Sequence, residues 1–394
     1  MRPLLSWIDN RIDNWIFHGF TLSPESLALY RICFAAYSLL FGIPSFVWID
    51  ANPDVFYDPP PSLAALFSGF PSYAILQAFS TFVCLLFILL LFGYKTRMVS
   101  VLLTLTLIVA NSFTYSFGKI DHDIIPVVTP SVMSFSGWGA CLSLDALQKR
   151  VHRDPAPSRN WPVALMALIV TFGFLSAGLP KALKWIDFDV STHGVRSWVI
   201  AAFFTEARQD FLVPVFVRIS DPYFWELLDI VAVAFELGFL VVLPFPKLFR
   251  LYIGLAVLFH FNNHLMLNIP FAEYMIVYLL FLNWEPLVAY VKNNHVLDRI
   301  GRLMRFDYLI LFTIAYLPFY YASQTIAVGT SARTASPLQF FVGEGFGLDY
   351  KDLRGLIVVS GALTVVLYIA LSKIGSLLKK YWNQPAESRD FRGG

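Results

Sequence analysis

Long apolar runs alternate with short polar stretches along most of the chain. A transmembrane helix needs about 20 mainly apolar residues, because backbone polar groups left unpaired in lipid carry a high free-energy cost. Ten runs meet this requirement: residues 27–46, 73–94, 98–117, 122–142, 161–181, 224–246, 251–270, 271–290, 308–328 and 355–374. The pattern predicts an all-α fold, a polytopic integral membrane bundle of about ten transmembrane helices.

The two ends of the chain depart from this pattern. Leu4, Ile8 and Ile12 recur at helical spacing close to Trp15, a typical interfacial anchor, which favours an amphipathic helix in the membrane interface. A short soluble helix is the alternative. The first residues are too polar for a cleavable signal peptide. The predicted domains are residues 1–22 as the interfacial helix, 23–382 as the transmembrane domain and 383–394 as a disordered tail.

Lys and Arg are distributed unevenly over the loops. When the predicted loops alternate between two sides, 19 of the 29 Lys and Arg residues lie on one side and nine on the other, with Arg31 inside the first span. Because cytoplasmic loops carry the excess of positive charge, both termini are predicted to be cytoplasmic. The short loops and the absence of a signal peptide favour a bacterial inner membrane over the endoplasmic reticulum.

Composition supports a membrane protein and excludes several functions. The chain is 57% hydrophobic and 14% charged, whereas a soluble domain is about 25% charged. A net charge of +2 provides no basic field for a nucleic-acid partner. Cys33, Cys84 and Cys141 show neither a CxxC pair nor zinc-ligand spacing, so we predict no disulfide framework and no metal site.

Ionisable and amide side chains interrupt two of the apolar runs. Asp229 and Glu236 are two helical turns apart on one face, which favours positions inside the bundle. Asn262, Asn263 and Asn268 accompany two histidines in the next run. These histidines, His260 and His264, share a helix face and could hold a metal, but no third ligand motif is present, and hydrogen-bonding imidazoles are favoured.

Two further candidates lie at predicted helix ends on the non-cytoplasmic side. His122 stands between Asp121 and Asp123, and Lys181 follows Pro180 at the end of a run of small residues. A solvated turn and a lysine that reaches the membrane surface are the simpler interpretations. The alternative is that His122, Lys181 and the His260 cluster meet in the outer half of one bundle.

Four local patterns resemble those of a known family. They are the segment 26–32 (SLALYRI), His122 followed by Ser143 and Asp145, the segment 177–181 (AGLPK) followed by Trp185, and His260 followed by Asn263, Ile269 and Tyr274. With the four patterns in this order, the chain resembles the membrane domain of vitamin K-dependent gamma-carboxylase and its bacterial relatives, the HTTM proteins. The resemblance covers residues 27–284.

The resemblance implies a membrane enzyme that uses reduced vitamin K or another lipophilic quinol. Lys181 matches the base that deprotonates the quinol, His122 a residue that stabilises that centre, and His260 a residue of the quinol pocket. Asn263, His264, Asp121 and Tyr274 are expected to bind the quinol. Oxygen and carbon dioxide would be co-substrates, and membrane lipids and a peptide or small molecule the other partners.

The chain also differs from the carboxylase. Pro180 replaces a first lysine, Asp121 replaces an asparagine, and no long luminal region follows the membrane domain. The alternative function is therefore a lipid- or small-molecule-binding protein or transporter that keeps the fold without the chemistry. A membrane subunit whose polar residues pair with a partner helix is a third interpretation.

Overall fold

The computed structural model of the protein describes residues 2–118, 123–149, 160–187, 189, 191–329, 334–335, 337–338 and 350–382. Most of these residues are helical and the rest form turns, loops and one two-residue strand pair, which confirms the all-α prediction. The helices are α1 (Arg2–His18), α2 (Pro24–Phe41), α3 (Tyr73–Phe92), α4 (Thr96–Thr114), α5 (Ile124–Met133), α6 (Leu144–Lys149), α7 (Trp161–Trp185), α8 (Gly194–Phe204), α9 (Val213–Phe216), α10 (Pro222–Val242), α11 (Pro246–Leu267), α12 (Ala272–Tyr278), α13 (Glu285–Asn293), α14 (Val296–Leu303), α15 (Phe306–Gly329) and α16 (Tyr350–Trp382). Two-residue strands, β1 (Ile43–Pro44) and β2 (Thr334–Ala335), form one short antiparallel pair.

Several helices have the length and apolar character of transmembrane helices. Among the described residues these are α3, α4 together with the turn that follows it, and α7. Two bent pairs also qualify if each pair is one span. They are Ala272–Phe281 with Glu285–Asn293, bent by 82°, and Val296–Leu303 with Phe306–Gln324, bent by 75°. The described chain therefore has three to five apolar spans, as expected of an integral membrane protein.

Two predicted spans are irregular in the structure. In the run 122–142, the helix α5 has only ten residues, which is about 15 Å of helix against a hydrocarbon thickness of about 30 Å. In the run 271–290, the helix is interrupted between Phe281 and Glu285, and the chain changes direction there by 82°. Hydropathy identifies both runs as apolar but contains no information on where the helix stops.

Arg31 joins three parts of the bundle. Its guanidinium is fully buried and donates hydrogen bonds to the carbonyl oxygens of Leu90 (3.1 Å) and Leu142 (2.5 Å). Gly93 ends α3 with a left-handed backbone (φ 66°) and packs directly against this guanidinium. A buried arginine that bonds to the last turn of α3 and to the segment before α6 has a packing role, so Arg31 does not extend towards the membrane surface.

Asp145 has a structural role at the same junction. Its two carboxylate oxygens accept hydrogen bonds from the backbone N–H groups of Lys95 (2.8 Å) and Thr96 (2.7 Å). These are orphan donors at the start of α4, so Asp145 satisfies them as a cap from a distant segment. Ser143 in turn accepts a hydrogen bond from the N–H of Ala146 (2.9 Å). Ser143 and Asp145 thus connect the start of α6 to the α3–α4 turn.

Candidate functional site

Lys181 and Glu236 form an ion pair between α7 and α10. The Lys181 ammonium donates a hydrogen bond to Oε1 of Glu236. The Glu236 side chain is 4% exposed and the Lys181 side chain 28% exposed, so the carboxylate is the deeper member of the pair. The second oxygen of Glu236, Oε2, is buried and accepts no hydrogen bond from the described residues.

The small residues before Lys181 allow the two helices to approach closely. A Cβ atom on Gly178 would lie 2.9 Å from the Cβ of Glu236, closer than side-chain carbons normally approach. Glycine at this position therefore places the carboxylate beside the α7 backbone, one turn before Lys181. The ammonium also lies 5.3 Å from the ring centroid of Trp185, within the range of a cation–π contact.

Lys181, but not Glu236, lines a cavity of about 890 Å³. Lys181, Lys184, Asn262 and Asn263 contribute the charged and amide groups of the lining. The rest is mainly apolar and comes from five helices and the segment after α11: Ile124, Ile125, Ile169, Phe172, Gly173, Ser176, Ala177, Pro180, Trp185, Val195, Trp198, Leu228, Val231, Ala232, Phe259, Met266, Leu267, Ile269 and Phe271. An apolar cavity with a few convergent polar groups is typical of a site for a lipophilic ligand.

His260 lies behind the cavity wall, in an aromatic cluster. Its Nε2 atom is 2.8 Å from the hydroxyl of Tyr278, and its ring stacks near those of Tyr274 and Tyr278. Phe271 is 4.6 Å from the His260 ring, centroid to centroid, and also lines the cavity. The ring of Phe271 therefore lies between the cavity and the cluster of His260 and Tyr274.

His264 and Asn268 belong to a different part of the bundle. The His264 ring lies 4.6 Å from that of Phe211, and a Cβ on Gly355 would approach its Nε2 to 2.7 Å. Asn268 ends α11 with a left-handed backbone (φ 52°), and its Nδ2 donates to Asp210 (2.7 Å). Asparagine tolerates this conformation, so Asn268 is a helix-terminating residue.

Of the predicted catalytic and quinol-binding residues, the structure brings Lys181 and Asn263 to one cavity. His260 and Tyr274 lie one side chain away, and His264 packs elsewhere. His122 and Asp121 lie outside the described residues, although Ile124 and Ile125, which follow them, line the cavity.

A second cavity, of about 490 Å³, lies among α2, α4, α5, α12 and α16. Its lining includes Glu273 and Arg354, which form an ion pair at 2.5 Å. None of the candidate site residues that the structure describes lines this cavity.

The sequence indicated that Asp229 and Glu236 are interior groups, but it did not identify their partners. Glu236 pairs with Lys181, 55 residues away. Asp229 accepts hydrogen bonds from the N–H groups of Gly194 (2.8 Å) and Val195 (2.7 Å) at the start of α8. The spacing of the two carboxylates on α10 was the signal in the sequence that they lie inside the bundle.

A search among known proteins found no family model, no curated protein and no solved structure that matches this chain.

Proposed function

We propose that the protein is a membrane enzyme that binds a lipophilic quinol in the cavity beside Lys181. We also propose that the Lys181–Glu236 pair exchanges a proton with the quinol head group. The observation that supports this function is the position of Lys181: it lines an apolar cavity, and its ammonium contacts a buried carboxylate. The resemblance to HTTM proteins supplies the reaction class, quinol-driven carboxylation or oxygenation with oxygen and carbon dioxide as co-substrates.

The pair is suited to hold and move one proton. To act as a base, Lys181 must first lose a proton, and Oε1 of Glu236 is the atom that receives its hydrogen bond. Transfer to Oε1 leaves a neutral amine beside a carboxylic acid, so neither group is ionised in the apolar interior. The neutral Nζ then accepts the proton of a quinol hydroxyl group. A cavity of about 890 Å³ also falls within the range of about 300–1,000 Å³ that is typical of ligand sites.

A second candidate function is binding or transport of a lipid or small molecule without chemistry. The observation that favours it is the position of His260, which bonds to Tyr278 and is separated from the cavity by Phe271. A histidine that supports quinol chemistry needs direct access to the head group. The remaining lining is mostly apolar and would accept the chain of many lipids.

The first prediction concerns the ligand that the purified protein retains. We expect wild-type protein to retain a naphthoquinone or ubiquinone, detected by mass spectrometry of the extracted lipids. Lys181→Ala and Glu236→Gln should each reduce retention by about tenfold, because a hydrogen bond to a charged group contributes about 1.5–3 kcal/mol.

Lys247→Ala is the matched control, since Lys247 is exposed at the start of α11 and does not line the cavity. Equal quinone retention in all four proteins would contradict the assigned role of the pair. Retention of a non-quinone lipid that depends on Lys181 would favour the second candidate. Bulk phospholipid alone, unchanged by the substitutions, would reject both candidates.

We further propose that the ten apolar runs make ten passes with both termini cytoplasmic, in a bacterial inner membrane. The excess of Lys and Arg on one side supports this orientation. The short helix α5 would cross the membrane together with the irregular segment that follows it. The pair that bends after Phe281 would likewise cross as one span, with its non-helical residues buried against neighbouring helices.

A second prediction tests this topology with single cysteines in a variant that lacks Cys33, Cys84 and Cys141. In intact cells, an impermeant maleimide should label Ser72→Cys, before α3, and should label Asn294→Cys, after α13, only when the membrane is opened. Labelling of both positions in intact cells would overturn the proposed number of passes.

A further inference from the structure

Three metal-ligating side chains converge where α8 meets α10. They are His193, which precedes α8, and Glu226 and Asp229, one turn apart on α10. One ligand atom from each lies within 4.8 Å of the other two. The side chains are 2%, 12% and 0% exposed, in that order, so this cluster is enclosed by protein.

His193 and Glu226 do not form a hydrogen bond with each other. Both oxygens of Glu226 and the Nδ1 atom of His193 are buried, and none has a hydrogen-bond partner among the described residues. Nδ1 of His193 and Oε2 of Glu226 are 3.9 Å apart, beyond hydrogen-bond distance. A carboxylate that is buried without a partner carries a high free-energy cost, which a bound cation would remove.

The charge around the cluster favours a cation. Asp187 is a further acid close enough to act on Asp229, so it adds negative charge beside the two carboxylates of the cluster. The hydrogen bonds from Gly194 and Val195 hold the Asp229 carboxylate in place but leave its other lone pairs available. Such fixing of a ligating carboxylate by backbone donors is usual around metal ions.

We propose that His193, Glu226 and Asp229 bind a divalent transition-metal ion, with Zn²⁺ as the best match to one imidazole and two carboxylates. Because the three ligand atoms lie within 4.8 Å of one another, a point exists within about 2.8 Å of all three, against Zn–N and Zn–O bonds of about 2.0–2.2 Å. Inward movement of less than about 1 Å by each side chain closes the coordination. Three protein ligands leave a fourth position for water or a substrate group.

The site adjoins the cavity and is separate from the Lys181–Glu236 pair. Leu228 and Val195, neighbours of Asp229 and Gly194 in sequence, line the cavity. Gly194 also packs on the ring of Trp185, another lining residue, so closely that a Cβ there would lie 2.2 Å from it. Bound metal would therefore fix the start of α8 against the cavity wall. The proposal does not depend on a quinol ligand.

The test is metal binding by purified full-length protein. After treatment with EDTA and addition of ZnCl₂ or MnCl₂, wild type should retain about one ion per chain by elemental mass spectrometry, and its thermal midpoint should rise. Glu226→Gln and His193→Gln should weaken zinc binding by more than about tenfold. Glu206→Gln, an exposed acid just after α8, is the matched control and should bind as wild type does.

A comparison in EDTA separates binding from folding. Glu226→Gln removes a buried, unpartnered charge but keeps the shape of the side chain. Its thermal midpoint without metal should therefore equal or exceed that of wild type, and the order should reverse when zinc is added. Wild type that takes up no more zinc or manganese than Glu226→Gln, with no rise in thermal midpoint, would overturn the proposal whatever the result with the quinone.

Discussion

Lys181→Met is expected to destabilise the protein by about 3 kcal/mol, because it leaves the buried carboxylate of Glu236 without its counter-charge. Removal of one partner of a buried ion pair typically costs about 3–5 kcal/mol. The lower end applies here, since the Lys181 side chain is 28% exposed. The measurement is the loss of unfolding free energy in detergent, from denaturant titration of tryptophan fluorescence.

The effect should be asymmetric between the two partners. Glu236→Gln leaves an ammonium that is already partly exposed and retains its contact with Trp185, so we expect a loss below about 1 kcal/mol. The double variant Lys181→Met/Glu236→Gln should be more stable than Lys181→Met alone, because no ionised group then remains buried. If the double variant loses the sum of the two single losses, the residues are not coupled and the ion pair does not exist in the folded protein.

Gly93→Ala is expected to destabilise the protein by about 3 kcal/mol or more, for two independent reasons. The backbone of Gly93 is left-handed (φ 66°), which costs a residue with a Cβ about 1–2 kcal/mol. The new Cβ would also lie 1.8 Å from Nη1 of Arg31 and 2.4 Å from the Cβ of Ser143. Displacement of the buried guanidinium would break its hydrogen bonds to Leu90 and Leu142.

Gly137→Ala is the matched control that separates the backbone effect from the clash with Arg31 and Ser143. Gly137 is also left-handed (φ 82°), but no described atom lies within 4 Å of the position that a Cβ would take there. This variant should therefore lose only the backbone contribution, about 1 kcal/mol. Thermal midpoints of the two variants, recorded in the same detergent, provide the comparison. Equal losses would show that Arg31 does not occupy the position beside Gly93.

Three residues of the sequence patterns singled out above have packing or capping roles in the structure: Arg31, Asp145 and Gly178. Arg31 and Asp145 hold α2, the α3–α4 turn and the segment around α6 together through hydrogen bonds to backbone groups. Gly178 allows α10 to approach the turn before Lys181. Packing and capping account for these three residues, so their presence in the sequence does not by itself indicate a reaction.

The sequence alone determined the helical, membrane-spanning character of the protein. Apolar runs of about 20 residues and a low fraction of charge are properties of local stretches of chain, and lipid imposes the helix on them whatever their neighbours are. The sequence also identified Lys181 as a candidate site residue and the carboxylates of α10 as interior groups, because ionisable side chains in apolar runs are costly.

Only the tertiary structure decided which of these groups meet. Lys181 and Glu236 are 55 residues apart, and His193 lies 33 and 36 residues before its neighbours in the metal cluster. Their contact depends on how far each helix extends, on its rotation about its own axis and on glycines that let backbones approach. The same factors placed Phe271 between His260 and the cavity and ended α5 after ten residues. Such distances are set by packing between helices, which the spacing of residues along one helix does not encode.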